Sequence, residues 1–228
     1  MKDKIARVDV GTLQKVVYKE LKDGITCGRF APGETLTIRA VATAAGTSVM
    51  PVREALQRLV AEGAVEARAN RTFAIPIPSR LSVEELYRVR KVLEGMAVAE
   101  ACERSTPALV ASLLQEIKAM KAHAKAENYE AYLEANHRFH FKLYTAAESH
   151  HLIAIIESLW LKSGPLLRAF GTPEMLLDRK ALLSQEPHLE IIEAIKNKDR
   201  LRAIRGIELD LDLPALWFRD HYDSMRWR

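Results

Sequence analysis

The stretch of residues 37–75 constrains the fold more than any other part of this sequence. It begins with apolar residues at helical spacing, and Thr37 can cap the start of this helix while Gly46 can end it. A longer helix follows, in which Ser48 is the candidate N-cap and Pro51 falls in the first turn, where its missing N–H group costs nothing. Residues 64–75 at the end of the stretch alternate around the polar pair Asn70-Arg71, and this pattern predicts a small hairpin. Two helices joined by a tight turn and followed by a hairpin are typical of a winged helix-turn-helix.

The second predicted helix carries residues suited to reading a DNA groove. Its expected buried stripe consists of Val52, Leu56, Leu59 and Val60. The residues of its first turns that lie off this stripe are Ser48, Val49, Met50, Arg53 and Gln57. Recognition helices contact base edges with their N-terminal residues, and the guanidinium of Arg53 matches the O6 and N7 atoms of guanine. The alternative is that Arg53 and Glu54 are ordinary solvated charges on a small helical domain.

Three local motifs stand out in the first third of the chain. They are PGETL starting at Pro32, AAGTS ending at Ser48, and PVREALQRLVAEG running from Pro51 to Gly63. Together they resemble the DNA-binding domain of GntR-family bacterial transcription regulators, over roughly residues 11–76. The third motif is the most specific of the three.

This resemblance implies a set of DNA contacts. The positions that contact DNA in that family correspond here to Arg39, Ser48, Arg53, Asn70 and Arg71. The last two lie at the predicted wing tip. The chain departs from the family pattern twice, because many members carry Arg in place of Val49 and Gly in place of Thr72. We therefore expect one base or phosphate contact to be missing and the turn of the wing to differ.

Net charge separates two parts of the chain. The 228 residues carry a formal net charge of +4, with 12 Lys/Arg and 8 Asp/Glu in residues 1–78 and 22 of each kind in residues 79–228. The whole excess lies on the predicted DNA-binding part, where it would neutralise phosphates. We expect two domains divided at this boundary. The cysteines Cys27 and Cys102 predict no disulfide framework, and no apolar run approaches a membrane span, so a cytoplasmic protein is expected.

Residues 79–228 predict an all-helical domain. A capping box at Ser82–Glu85, with a hydrophobic staple between Leu81 and Leu86, marks its first helix. The expected buried residues of that helix are Val83, Leu86, Val89, Leu93 and Met96. The predicted helices cover about residues 82–104, 107–126, 129–147, 151–161, 166–170, 172–186, 187–197 and 199–213. Glycine and proline residues set most of the predicted breaks, and the aromatic tail is expected to cover the bundle.

Shorter motifs follow one another along this helical domain. They are RxxLE starting at Arg90, the pair Phe139-His140, and HLEIIEAI starting at His188, followed by Asp199. They resemble the effector domain of the FadR-like branch of GntR regulators. The resemblance implies an antiparallel helical bundle that dimerises and encloses an effector cavity. The predicted fold class is therefore mainly α, with an N-terminal winged helix-turn-helix and a C-terminal all-α bundle.

The same resemblance implies a metal site. In much of that branch an Asp or Asn and three His residues, on three helices, hold a divalent metal, and the matching positions here are Asn136, His140, His188 and Asp210. Asn136 and His140 lie one helical turn apart and so point to the same side. Asp210 replaces the usual third His and Asn136 the usual Asp, so the ligand charge is unchanged. The set suits Zn, Ni or Mn; the alternative is a site that has lost its metal and lines a pocket for an organic ligand.

Arg90 is compatible with two roles. It lies one turn before Glu94, so the two side chains could form a structural ion pair. It could instead face the cavity and bind the carboxylate of an effector, for which the guanidinium is the best suited side chain. The family resemblance favours the second role.

Two Glu-x-x-His units, Glu134–His137 and Glu148–His151, suggest an alternative function as a di-iron enzyme. They lie fourteen residues apart, which leaves little room for a reversing loop, and an enzyme would leave the winged helix unexplained. The sequence contains no glycine-rich phosphate loop or Ser-x-x-Lys motif, and we assign no catalytic residue. A protein-interaction module would fit the helices but not the charge asymmetry.

The sequence therefore predicts a ligand-responsive transcription regulator, usually a repressor in this family, that binds a short palindromic operator in double-stranded DNA as a homodimer. The expected effector is a small carboxylic acid, and its expected binding residues are Arg90, Asn136, His140, His188 and Asp210. Effector binding is expected to shift the relative placement of two DNA-binding heads, which requires different affinities for the two arrangements.

Overall fold

The structure, a computed structural model, describes residues 10–69, 72–169 and 185–225. The elements in these ranges are α1 (Val10–Thr26), β1 (Thr35–Thr37), α2 (Ile38–Ala44), α3 (Val49–Ala61), β2 (Glu66–Arg68), β3 (Thr72–Ala74), α4 (Arg80–Glu103), α5 (Pro107–Lys125), α6 (Tyr129–Thr145), α7 (His150–Ala169), α8 (Glu186–Lys196), α9 (Arg200–His221) and a 3-10 turn (Tyr222–Ser224). The predicted mainly helical class is confirmed. Within the described ranges, no helix combines the length and the apolar character needed to cross a bilayer.

The head, defined as α1–α3 with the three strands, is a winged helix-turn-helix. Its sheet has the order β1-β3-β2, and both strand pairs are antiparallel. Thr37 caps α2 by accepting a backbone N–H of the first turn at 3.1 Å, and Gly46 takes a φ of +60° just after the helix ends. Ser48 occupies the N-cap position of α3, although within the described residues its side chain makes no capping hydrogen bond. The predicted hairpin is confirmed as β2–β3, and its tip at Asn70 and Arg71 lies outside the described residues.

The strand β1 does not appear in the sequence prediction. Its three residues pair with β3, where Leu36 lies opposite Phe73. Both side chains are buried in the hydrophobic cluster that also contains the inner face of α3. A strand of three residues carries too short an alternation to be recognised, so its pairing partner determines it.

The helical bundle, α4–α9, is organised around α4, which packs along α9 and also contacts α6, α7 and α8. Val83 is buried as predicted, but Val89 is 38% and Met96 is 52% exposed. The inward positions are taken instead by Arg90 and Glu94, which are buried as an ion pair. The prediction was wrong because the apolar-stripe rule assigns charged residues to the surface, whereas two opposite charges can be buried together.

Several predicted boundaries also differ from the structure. α4 begins earlier than predicted with Ser79 as its cap, and Leu81 is 76% exposed, so the predicted hydrophobic staple is wrong. α7 continues through Pro165 and α9 through Pro214, where breaks are predicted. A proline removes one backbone hydrogen bond, but packing against neighbouring helices can hold the helix through it. The predicted helix over 172–186 falls almost entirely outside the described residues.

The head rests on α7 of the bundle. Leu161 of α7 is buried in the hydrophobic cluster of the head. One turn later, a Cβ atom on Gly164 would lie 2.2 Å from the carbonyl oxygen of Ile25 and 2.5 Å from that of Thr26. Only glycine therefore fits at this point, where α7 approaches the backbone at the end of α1.

Candidate DNA-binding face and buried polar site

The predicted DNA-contacting residues lie on α2 and at the start of α3. We call Ser48, Val49, Met50, Arg53 and Gln57 the groove face. Its members are exposed except Arg53, which is half-buried, and Arg39 on α2 is exposed as well. The opposite side of α3 is buried in the head, so the groove face points away from the core. The two wing-tip residues of the prediction, Asn70 and Arg71, lie outside the described residues.

Arg58, also on α3, is held by the head itself. Its guanidinium carbon lies 3.8 Å from the ring centre of Tyr18, and its Nε donates to Glu62 at 3.1 Å. The Tyr18 hydroxyl donates to the same carboxylate at 2.7 Å, and burial together with this hydrogen bond raises the pKa of Tyr18 to about 12. Arg58 thus stabilises the packing of α3 on α1, which leaves Arg53 as the cation of α3 suited to contact a base.

Four polar side chains from α6, α8 and α9 converge inside the bundle. We call Asn136, His140, His188 and Asp210 the polar site. His188 Nε2 lies 3.0 Å from Asn136 Oδ1 and 3.6 Å from Asp210 Oδ1. His140 Nε2 lies 3.3 Å from Asp210 Oδ2. One ligand atom from each histidine and from Asp210 lies within 4.8 Å of the others. The structure therefore brings together all four residues that the family resemblance selects.

A series of buried hydrogen bonds orients His140. Arg90 Nε lies 2.6 Å from Glu94 Oε1, and the Tyr144 hydroxyl donates to the other carboxylate oxygen of Glu94. Because its proton is used there, the Tyr144 oxygen accepts the proton on Nδ1 of His140, 3.1 Å away. The lone pair on Nε2 of His140 is then directed at Asp210. Two acceptors that face each other need a proton or a metal ion between them.

The charges of the polar site favour a cation. Burial lowers the pKa of His188 to about 4, so this ring is neutral at neutral pH. Burial alone would raise the pKa of Asp210, but at the low pH where this carboxyl titrates, the charge that His188 then carries, a hydrogen bond with His140 and the charge of Arg90 lower that pKa to about 2. Nδ1 of His188 has no hydrogen-bond partner among the described residues. An ionised carboxylate, two imidazoles and an amide oxygen form a donor set that divalent metals accept.

Arg90 forms the ion pair that the sequence leaves open as one of its two roles. Its Nη1 also donates to Ser163 Oγ at 3.1 Å, and its guanidinium carbon lies 4.6 Å from the ring centre of Trp160. Sequence reasoning missed Ser163, Trp160 and Tyr144. Tyr144 could have been found, because it lies one turn after His140 on the same side of α6. Nothing in the local sequence marks the other two, which come from α7.

The two Glu-x-x-His units do not meet. Glu134 lies 3.2 Å from Arg29 of the head. Glu148 is 78% exposed beside Arg104. His137 is stacked on Phe141 within α6, with ring centres 4.3 Å apart. One unit therefore faces the head and the other faces solvent, so the di-iron alternative is wrong.

Comparison with protein families gives two matches. The family of bacterial regulatory proteins called gntR matches residues 13–75, and the FCD domain matches residues 85–212. The HTH-type transcriptional regulator McbR of Escherichia coli K12 is 33% identical over 193 residues, covering 83% of this chain and 84% of that protein. The gluconate operon transcriptional repressor of Bacillus subtilis is 25% identical over 207 residues, covering 87% of this chain and 81% of the repressor.

Solved structures agree with these matches. Escherichia coli McbR/YncC superimposes with a TM-score of 0.85 at 27% identity, covering 92% of this chain and 98% of that chain. A GntR regulator from Rhodococcus sp. RHA1 shares the fold, with a TM-score of 0.73 at 21% identity and coverage of 93% and 99%. This protein belongs to the GntR family of bacterial regulatory proteins, in the FadR-like branch with an FCD domain, and it is a DNA-binding transcription regulator rather than an enzyme.

Proposed function

We propose that the protein is a repressor that binds a short palindromic operator as a homodimer and releases it when a small carboxylic acid binds in the bundle. DNA binding is assigned to residues 1–78, and effector binding and dimerisation to residues 79–228. The convergence of Asn136, His140, His188 and Asp210 in a buried site is the observation that supports ligand control. The regulator would act on DNA in the bacterial cytoplasm.

The DNA-binding part of this proposal rests on the groove face. Replacing Arg53 with Ala should weaken operator binding by about 1–3 kcal/mol, the cost of losing a bidentate contact to guanine. Binding is measured by fluorescence anisotropy on an operator selected from random duplexes. Arg205→Ala removes the same charge from an exposed position on α9 and serves as the control. Equal affinities of Arg53→Ala and wild type would exclude the assigned role.

A second group of exposed residues supports dimerisation through the bundle. Val89, Val92 and Met96 lie along one side of α4 and are 38%, 69% and 52% exposed. Leu209 and Leu216 of α9, the helix that packs along α4, are 50% and 44% exposed. Exposed apolar groups in this density are typical of an interface, and a second copy of the chain is the partner that a palindromic operator requires.

Dimerisation can be tested on the full chain. Val92→Glu should halve the mass measured by light scattering at micromolar concentration, because a charge would be buried without a partner. Leu114→Glu changes an equally apolar residue on α5, which is 41% exposed, and should leave the mass unchanged. A dimeric Val92→Glu variant would place the interface elsewhere.

We further propose that the polar site holds a divalent metal, Zn, Ni or Mn. The donor set fits such an ion, and a metal would resolve the facing acceptors of His140 and Asp210. The bound metal would act as a Lewis acid toward the carboxylate of an effector. Because Arg90 already pairs with Glu94, its role at this site would be to keep His140 oriented through the hydrogen bonds of Glu94 and Tyr144.

Metal binding is measured on the full chain after loading with each ion and dialysis. One ion per chain should remain in the wild type, and both His140→Ala and His188→Ala should lose it. His150→Ala, an exposed histidine at the start of α7, is the control and should keep the ion. If the two buried-site variants hold as much metal as the wild type, the site is not the one proposed. If neither metal nor organic acids shift thermal melting, ligand control by this site is wrong.

α7 is the proposed connection between effector and head. Trp160 and Ser163 contact Arg90 beside the polar site, while Leu161 and Gly164 contact the head. Residues of one short segment thus touch both regions. A ligand that favours one position of α7 would also favour one position of the head, which is the differential affinity that switching requires.

A further inference from the structure

Two apolar side chains are exposed at the start of α3. Val49 is 42% and Met50 is 52% exposed, although both lie in the first turn of the helix that presents Arg53. The residues that follow them, Pro51 and Val52, are buried in the head. Val49 and Met50 are therefore not part of the core, and they stand on the side of α3 that faces outward.

We infer that Val49 and Met50 read the methyl groups of thymines in the operator. Recognition helices place their N-terminal residues against base edges in the major groove. The 5-methyl group of thymine is the apolar group on that surface, and apolar side chains are its usual partners. The inference rests on α3 being the recognition helix, as the proposed function has it.

Other uses of the two side chains fit the structure less well. Neither Val49 nor Met50 has a side-chain donor, so they do not bind phosphate oxygens as Arg or Lys would. Among the described residues, the largest contact between head and bundle joins α1 and α7, at residues such as Thr26 and Gly164. Burying Val49 and Met50 against the duplex is favourable only where they contact an apolar group.

The geometry of α3 also predicts the spacing of the operator bases. Arg53 lies one turn after Val49, a rise of about 6 Å along the helix. Base pairs are stacked about 3.4 Å apart, so the two residues span about two base pairs. We therefore expect a thymine within about two base pairs of the guanine that Arg53 reads, in each half of the palindrome.

The test uses full-length protein and an operator selected from random duplexes. Each thymine is replaced in turn by deoxyuridine, which removes only the 5-methyl group. Replacement of one or two thymines per half-site should weaken binding about 4-fold each, the factor expected for one buried methyl group. In the Val49→Ala Met50→Ala double variant the same replacements should have a smaller effect, because only the Cβ methyl groups of the two alanines remain to contact the thymine.

Two controls separate a methyl contact from a general loss of binding. Leu114→Ala truncates an exposed apolar residue of α5 and should keep the full sensitivity to deoxyuridine. Arg53→Ala should weaken binding while the thymine sensitivity remains. Val49→Thr retains one γ-methyl group and should keep more of the sensitivity than Val49→Ala.

The outcomes distinguish this inference from the proposed function. If the operator binds and Arg53→Ala weakens it, but no thymine replacement has an effect, thymine reading is wrong and DNA binding stands. Sensitivity that persists unchanged in the double variant also overturns the inference, because other residues would then contact the methyl groups. If full-length protein selects no duplex at all, the proposed function itself fails.

Discussion

The groove face of the head and the polar site of the bundle place their polar side chains in opposite environments. Ser48 and Gln57 are exposed to solvent, and their partners would come from DNA. His140 and His188 are buried, and each already lies near oxygen atoms of the chain. The head therefore reads an external surface with residues that do little for folding. In the bundle, the residues proposed to bind a ligand are also buried against their own partners, so stability and the proposed ligand binding should change together.

The substitution expected to have the largest effect is Glu94→Ala, in the bundle. The substitution leaves the Arg90 guanidinium buried without its carboxylate and should lower the free energy of unfolding by about 3–5 kcal/mol. It also removes the acceptor that holds Tyr144, so metal affinity should fall with stability. Chemical denaturation measures the first effect. Glu85→Ala, an exposed position on the same helix, is the control and should change stability by less than about 0.5 kcal/mol.

Gly164→Ala tests whether head and bundle behave as separate regions. The added methyl group collides with the backbone of α1, so we expect a loss of about 1–3 kcal/mol and displacement of the head. Cys27 reports this displacement, because it is 8% exposed and burial, with Glu134 nearby, raises its pKa to about 11. Its reaction with a thiol reagent should become faster in the variant.

The chain supplies two controls for the thiol measurement. Cys102 is fully buried in the bundle, so its reaction rate should not change if only the head moves. Gly95→Ala adds a methyl group at 3.5 Å from Ile204, an ordinary contact, and should leave Cys27 protected. Equal reactivity of Cys27 in the wild type and Gly164→Ala would show that the close approach of α7 does not hold the head.

Tyr144→Phe should have an intermediate effect within the bundle. It removes the hydroxyl that donates to Glu94 and contacts His140, at a cost of about 1.5 kcal/mol in stability. Metal affinity should fall at least about 10-fold, as expected when a residue that orients a ligand is lost. Tyr129→Phe removes a hydrogen bond to the carbonyl of Leu167 outside the site, and it should leave metal affinity unchanged.

The smallest effect on stability is expected at the groove face. Gln57→Ala should change the free energy of unfolding by less than about 0.5 kcal/mol, since the side chain is exposed. Its operator affinity should fall nevertheless, because Gln can pair with adenine in the major groove. Thermal melting and DNA titration of one preparation give both values. A large loss of stability would contradict the contrast between head and bundle.

The head is the part of the fold that its sequence predicts best. The cap at Thr37 and the end of α2 at Gly46 depend on residues close together in the chain, and so does the buried face of α3. The short strand β1 escapes prediction because its partner β3 lies far along the sequence. The groove face can be identified from the sequence because its residues lie off the buried stripe of α3.

The bundle is predicted less well because its decisive contacts are distant in sequence. The polar site could be selected only through family resemblance, since Asn136 and Asp210 are brought together by packing. The predicted buried face of α4 is wrong: the Arg90–Glu94 pair is buried, whereas Met96 is exposed. α7 was predicted to stop near Pro165 because a local rule cannot see the helices that support it.

One residue sets a limit on recombining this regulator with others. Leu161 belongs to α7, yet it completes the hydrophobic core of the head. A head transplanted onto a foreign effector module would lose this side chain and carry a cavity in its place. Chimeric sensors built from this protein should therefore exchange the head together with a matching segment of α7, or supply a new large apolar residue at the junction. The unit to exchange is larger than the DNA-binding domain, and two separate segments of the gene encode it.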